Sequence, residues 1–167
     1  VNSAGKIQKV TDSVGREYLY AYNESGRLSS VTDCMQRTVG YTYNEDGRLS
    51  SVIGVLGTVT ESYLYNADGR LVRISDAFGN RITGIDYDES RNVASVTDSD
   101  GVKTEYSYDT ADNSVTLSRN NEITERRVYN RYGYQTASET ADGTQRTYYC
   151  NAYGDELLEN LPPTEHY

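Results

Sequence analysis

With 167 residues, a formal net charge of -9 and a mean hydropathy of -0.74, the chain is too acidic to favour phosphate backbones or anionic lipid surfaces. No apolar stretch approaches the roughly 20 residues that cross a bilayer, so nucleic-acid binding and membrane insertion are both excluded from the expectations. Seventeen Tyr against one Phe and no Trp make tyrosine the main aromatic building block. A tyrosine hydroxyl needs a partner or a wet rim when buried, which favours a thin sheet over a thick core.

Taken in chain order, residues 1–4 form a lead-in without an initiator Met, as expected of a piece of a longer protein or a mature form. From residue 5 a pattern repeats. Tyrosines return every 21 or 22 residues at Tyr22, Tyr43, Tyr65, Tyr87, Tyr108 and Tyr129, and Cys150 takes the seventh slot. A second set stands two residues earlier, at Tyr20, Tyr41, Tyr63 and Tyr106. Tyr-x-Tyr is a period-two signal, and Tyr, Val and Thr suit a half-buried pleated surface.

After each tyrosine comes a turn, with Gly26, Gly47, Gly69, Gly133 and Gly154 as its glycines, while Arg91 and Asp112 stand in the glycine slot of the fifth and sixth copies. A second turn recurs between the tyrosines at Gly15, Gly57, Gly79, Gly101 and Gly143, with Gln36 once in its place and Asn121 near it in the sixth copy. Each repeat therefore holds two strand-length segments and two turns, which is a β-hairpin. Leu28-x-x-Val31, Leu49-x-x-Val52 and Leu71-x-x-Ile74 break strict alternation, and predict a bulge or bend. A fixed period of this length signals an array whose units bury their apolar faces only against neighbours. Residues 155–167 read as a cap or connector, with Leu157, Leu158 and Leu161 spaced for one or two helical turns before Pro162-Pro163.

The copies Tyr20–Leu28, Tyr41–Leu49 and Tyr63–Leu71, with the string Gly26-Arg27-Leu28-x-x-Val31-Thr32-Asp33, closely resemble the YD repeats of the Rhs family. The dipeptide is literal at Tyr87-Asp88 and Tyr108-Asp109, and the match covers residues 5–154. The resemblance implies hairpin strips that spiral into hollow β-shells, as in bacterial Rhs proteins, Tc toxin components and teneurins. The fold expected is all-β: tandem hairpins forming one continuous, curved antiparallel sheet, an open solenoid or shell segment. The core motif that precedes autoproteolysis in toxin Rhs proteins is not recognisable here.

Candidate chemistry is sparse. A catalytic triad or dyad needs a histidine held in a packed site, and the one histidine is His166, next to the last residue. Cys34, Cys150 and His166 cannot supply convergent zinc ligands. The turns at Asn44–Gly47, Asn66–Gly69 and Asp98–Gly101 are too short for calcium loops and have the composition of ordinary turns. Arg27, Arg48 and Arg70 read as cross-strand partners of acidic residues on the exposed face. No enzyme, cofactor or metal is expected. The expected role is a structural and interaction module of a larger secreted or cell-surface bacterial protein, joined to other parts of its parent or to itself through sheet edges. The alternative is a carbohydrate or cell-wall-binding module that uses exposed tyrosines as a stacking platform.

Overall fold

In a computed structural model, residues 1, 4–150 and 156–160 are described, with side chains up to residue 149. The strand order of the open sheet equals chain order without a crossover. The described pairings are all antiparallel. The fold is thus all-β and built of consecutive hairpins, as the repeat predicts. Two compact units divide the chain, Val1–Gly84 and Ile85–Tyr167.

The first unit contains β1 (Lys9–Thr11), β2 (Glu17–Tyr22), β3 (Leu28–Thr32), β4 (Thr38–Tyr43), β5 (Leu49–Ile53), β6 (Val59–Tyr65) and β7 (Leu71–Asp76). The division falls inside β8 (Arg81–Tyr87). The second unit continues with β9 (Val93–Thr97), β10 (Lys103–Asp109), β11 (Ser114–Arg119), β12 (Glu122–Tyr129), β13 (Gln135–Thr140), β14 (Gln145–Cys150) and β15 (Glu156–Asn160).

Most turns share one backbone frame. Asn23 N–H donates to the Arg27 carbonyl at 2.8 Å and Gly26 N–H donates to the Asn23 carbonyl at 2.8 Å, with Gly26 at φ 73°. The same pair of bonds closes Asn44–Arg48, Asn66–Arg70, Asp12–Arg16 and Asp76–Asn80. This is a three-residue loop whose last residue is left-handed, the conformation that glycine adopts at least cost. Side chains reinforce it: Asp12 Oδ1 accepts from the N–H groups of Val14 and Arg16, both at 3.0 Å.

The bulge lies where Leu-x-x-Val predicts it. Tyr22 pairs with Leu28 but Ala21 pairs with Ser30, so Leu28 and Ser29 together face one residue of β2. Tyr43/Leu49 and Tyr65/Leu71 repeat this shift. The extra residue restores the phase. Tyr20 pairs with Val31 and Tyr22 with Leu28, so both tyrosines and both aliphatic partners share one face despite the odd spacing. Without it, Leu28 would fall on the opposite face from Val31.

No thick core results. Among the described residues the one buried large hydrophobic side chain is Leu117, and the other buried side chains are Ser75, Ser95, Ser114 and Ser138. Apolar stabilisation is spread as partial burial over a single layer.

Two expectations require correction. Residues 156–160 are not helical: β15 pairs antiparallel with β14, Thr147 opposite Asn160 and Tyr149 opposite Leu158. A helix that short has almost no internal hydrogen bonds, whereas the β14 edge offers a row of unpaired ones. In the sixth copy the positive φ falls on Asn113, at 54°, and not on Asp112, because Asp109 pairs with Ser114 around a four-residue loop. Arg91 itself takes the left-handed conformation, at φ 72°, and so does Gln36, at φ 62°. Gly154 and His166, with the remainder of 151–155 and 161–167, lie outside the described residues.

Candidate functional site: the tyrosine ladder and its basic lids

Four ladder tyrosines are spent on the repeat before their own. Tyr43 Oη donates to the Leu28 carbonyl at 2.7 Å, and Tyr65 Oη to the Leu49 carbonyl at 2.9 Å. Tyr22 Oη does the same to the Ile7 carbonyl at 2.7 Å, and in the second unit Tyr108 Oη to the Val93 carbonyl at 2.9 Å. At Leu28 and Leu49 the acceptor is the first residue of a bulge, whose carbonyl is turned out of the regular ladder. Each hydroxyl therefore satisfies a backbone group in the preceding repeat.

A second link runs the other way. The Arg27 guanidinium carbon lies 5.8 Å from the ring centroid of Tyr43, and that of Arg48 5.9 Å from Tyr65. Lys6 Nζ stands 5.2 Å from the centroid of Tyr22 and donates to the Gly26 carbonyl. The same arginines lie over the next turn, where a Cβ added to Gly47 would overlap the Arg27 guanidinium and one added to Gly69 that of Arg48. These glycines serve twice. They supply a positive φ, and they leave room for a cation from one repeat earlier. For Arg27 and Arg48 the expectation of acidic cross-strand partners is thereby corrected, although Arg48 Nη1 does reach Asp46 Oδ2 within its own turn at 2.7 Å. The physical reason is reach: the stem lies along the neighbouring apolar surface, and the planar head stacks on an aromatic face.

The upper tyrosines sit on the same face. Tyr20, Tyr41, Tyr63 and Tyr106 pair with Val31, Val52, Ile74 and Leu117. Tyr63 Oη donates to Glu61, which together with burial pushes the phenol up to about 12. Tyr108 is 40% exposed and burial raises its phenol, helped by the charge of Asp88. Tyr87 and Tyr129 close β8 and β12, and Tyr129 pairs with Gln135 across another bulge. Gly133 has φ 84° and open space where a Cβ would stand, unlike Gly47 and Gly69.

Cys34 is exposed at a turn tip, and no cluster of His, Cys, Asp or Glu able to hold a metal occurs among the described residues. No helix of the described residues is long and apolar enough to cross a membrane. Sequence reasoning missed both inter-repeat links. Two signals pointed to them: the use of Tyr in place of Phe at a fixed period, and a basic residue before the aliphatic slot at Lys6, Arg27, Arg48 and Arg70.

Comparison with known proteins agrees with this architecture. The RHS Repeat family model matches residues 1–33, 22–59 and 65–103, more than half of the chain. The chain belongs to the RHS repeat family. No curated protein matches it. Among solved structures, the TcdB2-TccC3 crystal structure is similar with a TM-score of 0.65 at 15% identity, covering 99% of this chain and 11% of that one. The TcdB2-TccC3-Cdc42 crystal structure gives 0.65 at 17% identity, with 90% and 9% covered. The Photorhabdus luminescens Tc holotoxin pore with a TccC3-D651A mutation gives 0.62 at 16%, with 90% and 9% covered. At these identities the likeness is one of fold. The chain spans about a tenth of the length of those chains.

Proposed function

We propose that this chain is a non-enzymatic structural module, a segment of hairpin strip that helps build the shell or adhesive surface of a larger secreted or surface-exposed bacterial Rhs-type protein. The observation that carries the reading is the side-chain economy of the repeat. In the first unit the tyrosine hydroxyl and ring and the basic side chain are committed to the neighbouring copy, as in Tyr43 to Leu28 and Arg27 to Tyr43. A strip of this kind is a wall, and its stability is the sum of nearest-neighbour terms. Residues 5–154 form the strip and 155–167 a cap or connector. Its partners are other parts of the parent protein or further strips paired at the sheet edges, where β1 and β15 are the outermost strands among the described residues. Similarity to Tc toxin assemblies supports a wall role and an extracellular setting.

The carbohydrate-platform reading is weakened in the first unit, because a hydroxyl bonded to a carbonyl and a ring covered by an arginine are not presented to a sugar. Iodide quenching and glycan binding test the proposal together. A wall gives tyrosine emission that is largely protected in residues 1–84, and no glycan retained. Glycan binding that disappears on Tyr43→Ala or Tyr65→Ala, in chains that remain folded, would overturn it. Edge pairing has its own test in light scattering of the chain shortened to residue 154: growing, open-ended association is expected, and a strict monomer would refute that part.

A further inference from the structure

The two ends of the hairpins in the first unit differ in chemistry. At one end lie the turns between β2 and β3, β4 and β5, and β6 and β7, whose third residues are Ser25, Asp46 and Asp68. At the other end lie the turns between β1 and β2, β3 and β4, β5 and β6, and β7 and β8. There the third residues are Val14, Met35, Leu56 and Phe78, exposed by 74%, 69%, 88% and 89%. One apolar tip stands on every hairpin, and two strands at about 4.8 Å each set them about 10 Å apart. Single exposed apolar residues need no explanation, but a periodic row confined to one edge does.

We infer that this row is a docking edge for a second copy of the chain, tip row against tip row about a two-fold axis. A second copy offers apolar points at the same pitch by construction. The two-fold arrangement sets Phe78 against Val14 and Leu56 against Met35, matching the largest tip with the smallest. The carboxylates at these turns already have partners. Asp12 and Asp33 accept from backbone N–H groups and bind Arg16 and Arg37 at 2.6 and 2.5 Å, while Asp76 accepts from Phe78 N–H at 2.9 Å and Asn80 N–H at 2.8 Å. Closing water out of the row therefore strands no carboxylate. At the opposite end the same two-fold arrangement would set Asp46 against its equivalent and Asp68 against Ser25, with no apolar tip to bury, so the apolar end is the one that suits self-contact. An isologous contact closes at two copies and does not grow. Four tips per copy bury on the order of 1,000 Å² in total, at the low end of specific interfaces.

Sedimentation equilibrium of the intact chain, across a concentration range that spans micromolar to sub-millimolar, tests this. A monomer–dimer equilibrium is expected that weakens at least tenfold in the Leu56→Asp, Phe78→Asp double variant. Asp46→Asn at the opposite end is expected to leave it unchanged. Because the two altered tips are nearly fully exposed, the double variant keeps its fold, which circular dichroism checks. The Val55→Cys variant is expected to form a dimer linked through Cys34 on oxidation, whereas Ser13→Cys is not. A monomer at every concentration overturns the inference. So does association that survives the double substitution, or that grows beyond two copies and is lost only on blocking β1; those outcomes assign self-association to the sheet edges.

Discussion

The two units run the same hairpin on different reinforcement. In the first, Tyr43 and Tyr65 are half-buried under Arg27 and Arg48. In the second, Tyr108 makes the same bond to a preceding carbonyl, at 2.9 Å, but Asn92 stands in the sequence slot of the lid and the ring is 40% exposed. The hydroxyl link thus persists at a copy whose lid slot holds Asn92, and the ring there is the more exposed. The turns tell a similar story. In the turns that follow the ladder tyrosines, glycine holds the left-handed position at Gly26, Gly47 and Gly69, whereas in the second unit Arg91 and Asn113 hold it in two copies and Gly133 in the third.

The largest effect is expected from Tyr65→Ala, which removes the hydroxyl link and the surface under Arg48, at a cost of about 2–3 kcal/mol for a half-buried ring. Tyr134→Ala, outside the ladder, is expected to cost clearly less, and equal midpoints in denaturant melts would contradict the ladder account. Next comes a pair of glycines. Gly47→Ala and Gly57→Ala meet the same backbone strain, at φ 78° and 77°, of about 1–2 kcal/mol. Only the first displaces a guanidinium from an aromatic face, adding about 0.5–1 kcal/mol, so equal losses would remove the lid from the argument.

A gain is expected at Arg91→Gly, which relieves a left-handed non-glycine residue by about 1 kcal/mol in the second unit, read as a raised melting midpoint. The smallest effect concerns pH. The Tyr63 phenol is raised to about 12 from its ordinary value of 10.0, so its proton is held more tightly in the folded chain. Its contribution is complete below pH 10 and is lost as pH rises through about 12, and Tyr63→Phe is expected to flatten that limb. In acid the reverse holds for Asp12, Asp33 and Asp76. Their carboxyls lie below the ordinary 3.8, through the Arg16, Arg37 and Asn80 hydrogen bonds, so their support is lost as pH falls below that value.

How much of this was legible in the sequence depends on the range of the interaction. Leu28-x-x-Val31 spelled out its own bulge, because a phase error within one strand pair is a local matter. Asn-x-x-Gly and Asp-x-x-Gly marked the turns, since Asn23 and Asp12 cap bonds only four residues away. The lid was illegible for the opposite reason. Arg27 meets Gly47, twenty positions on, and a repeat makes every such position equally regular whether or not it touches the copy before. β15 was misread because three leucines carry no information about the unpaired edge waiting at β14.

The two side-chain links point in opposite directions, and that gives the strip a sense. Arg27 leans forward onto Tyr43, and Tyr43 reaches back to Leu28. Cut between repeats of the first unit, such a strip exposes unlike faces: a cation and a free carbonyl on one side, a bare tyrosine on the other. Two pieces can be rejoined only head to tail, because like ends have nothing to exchange. A wall assembled from such units carries its own arrow, and chain order is written into each seam.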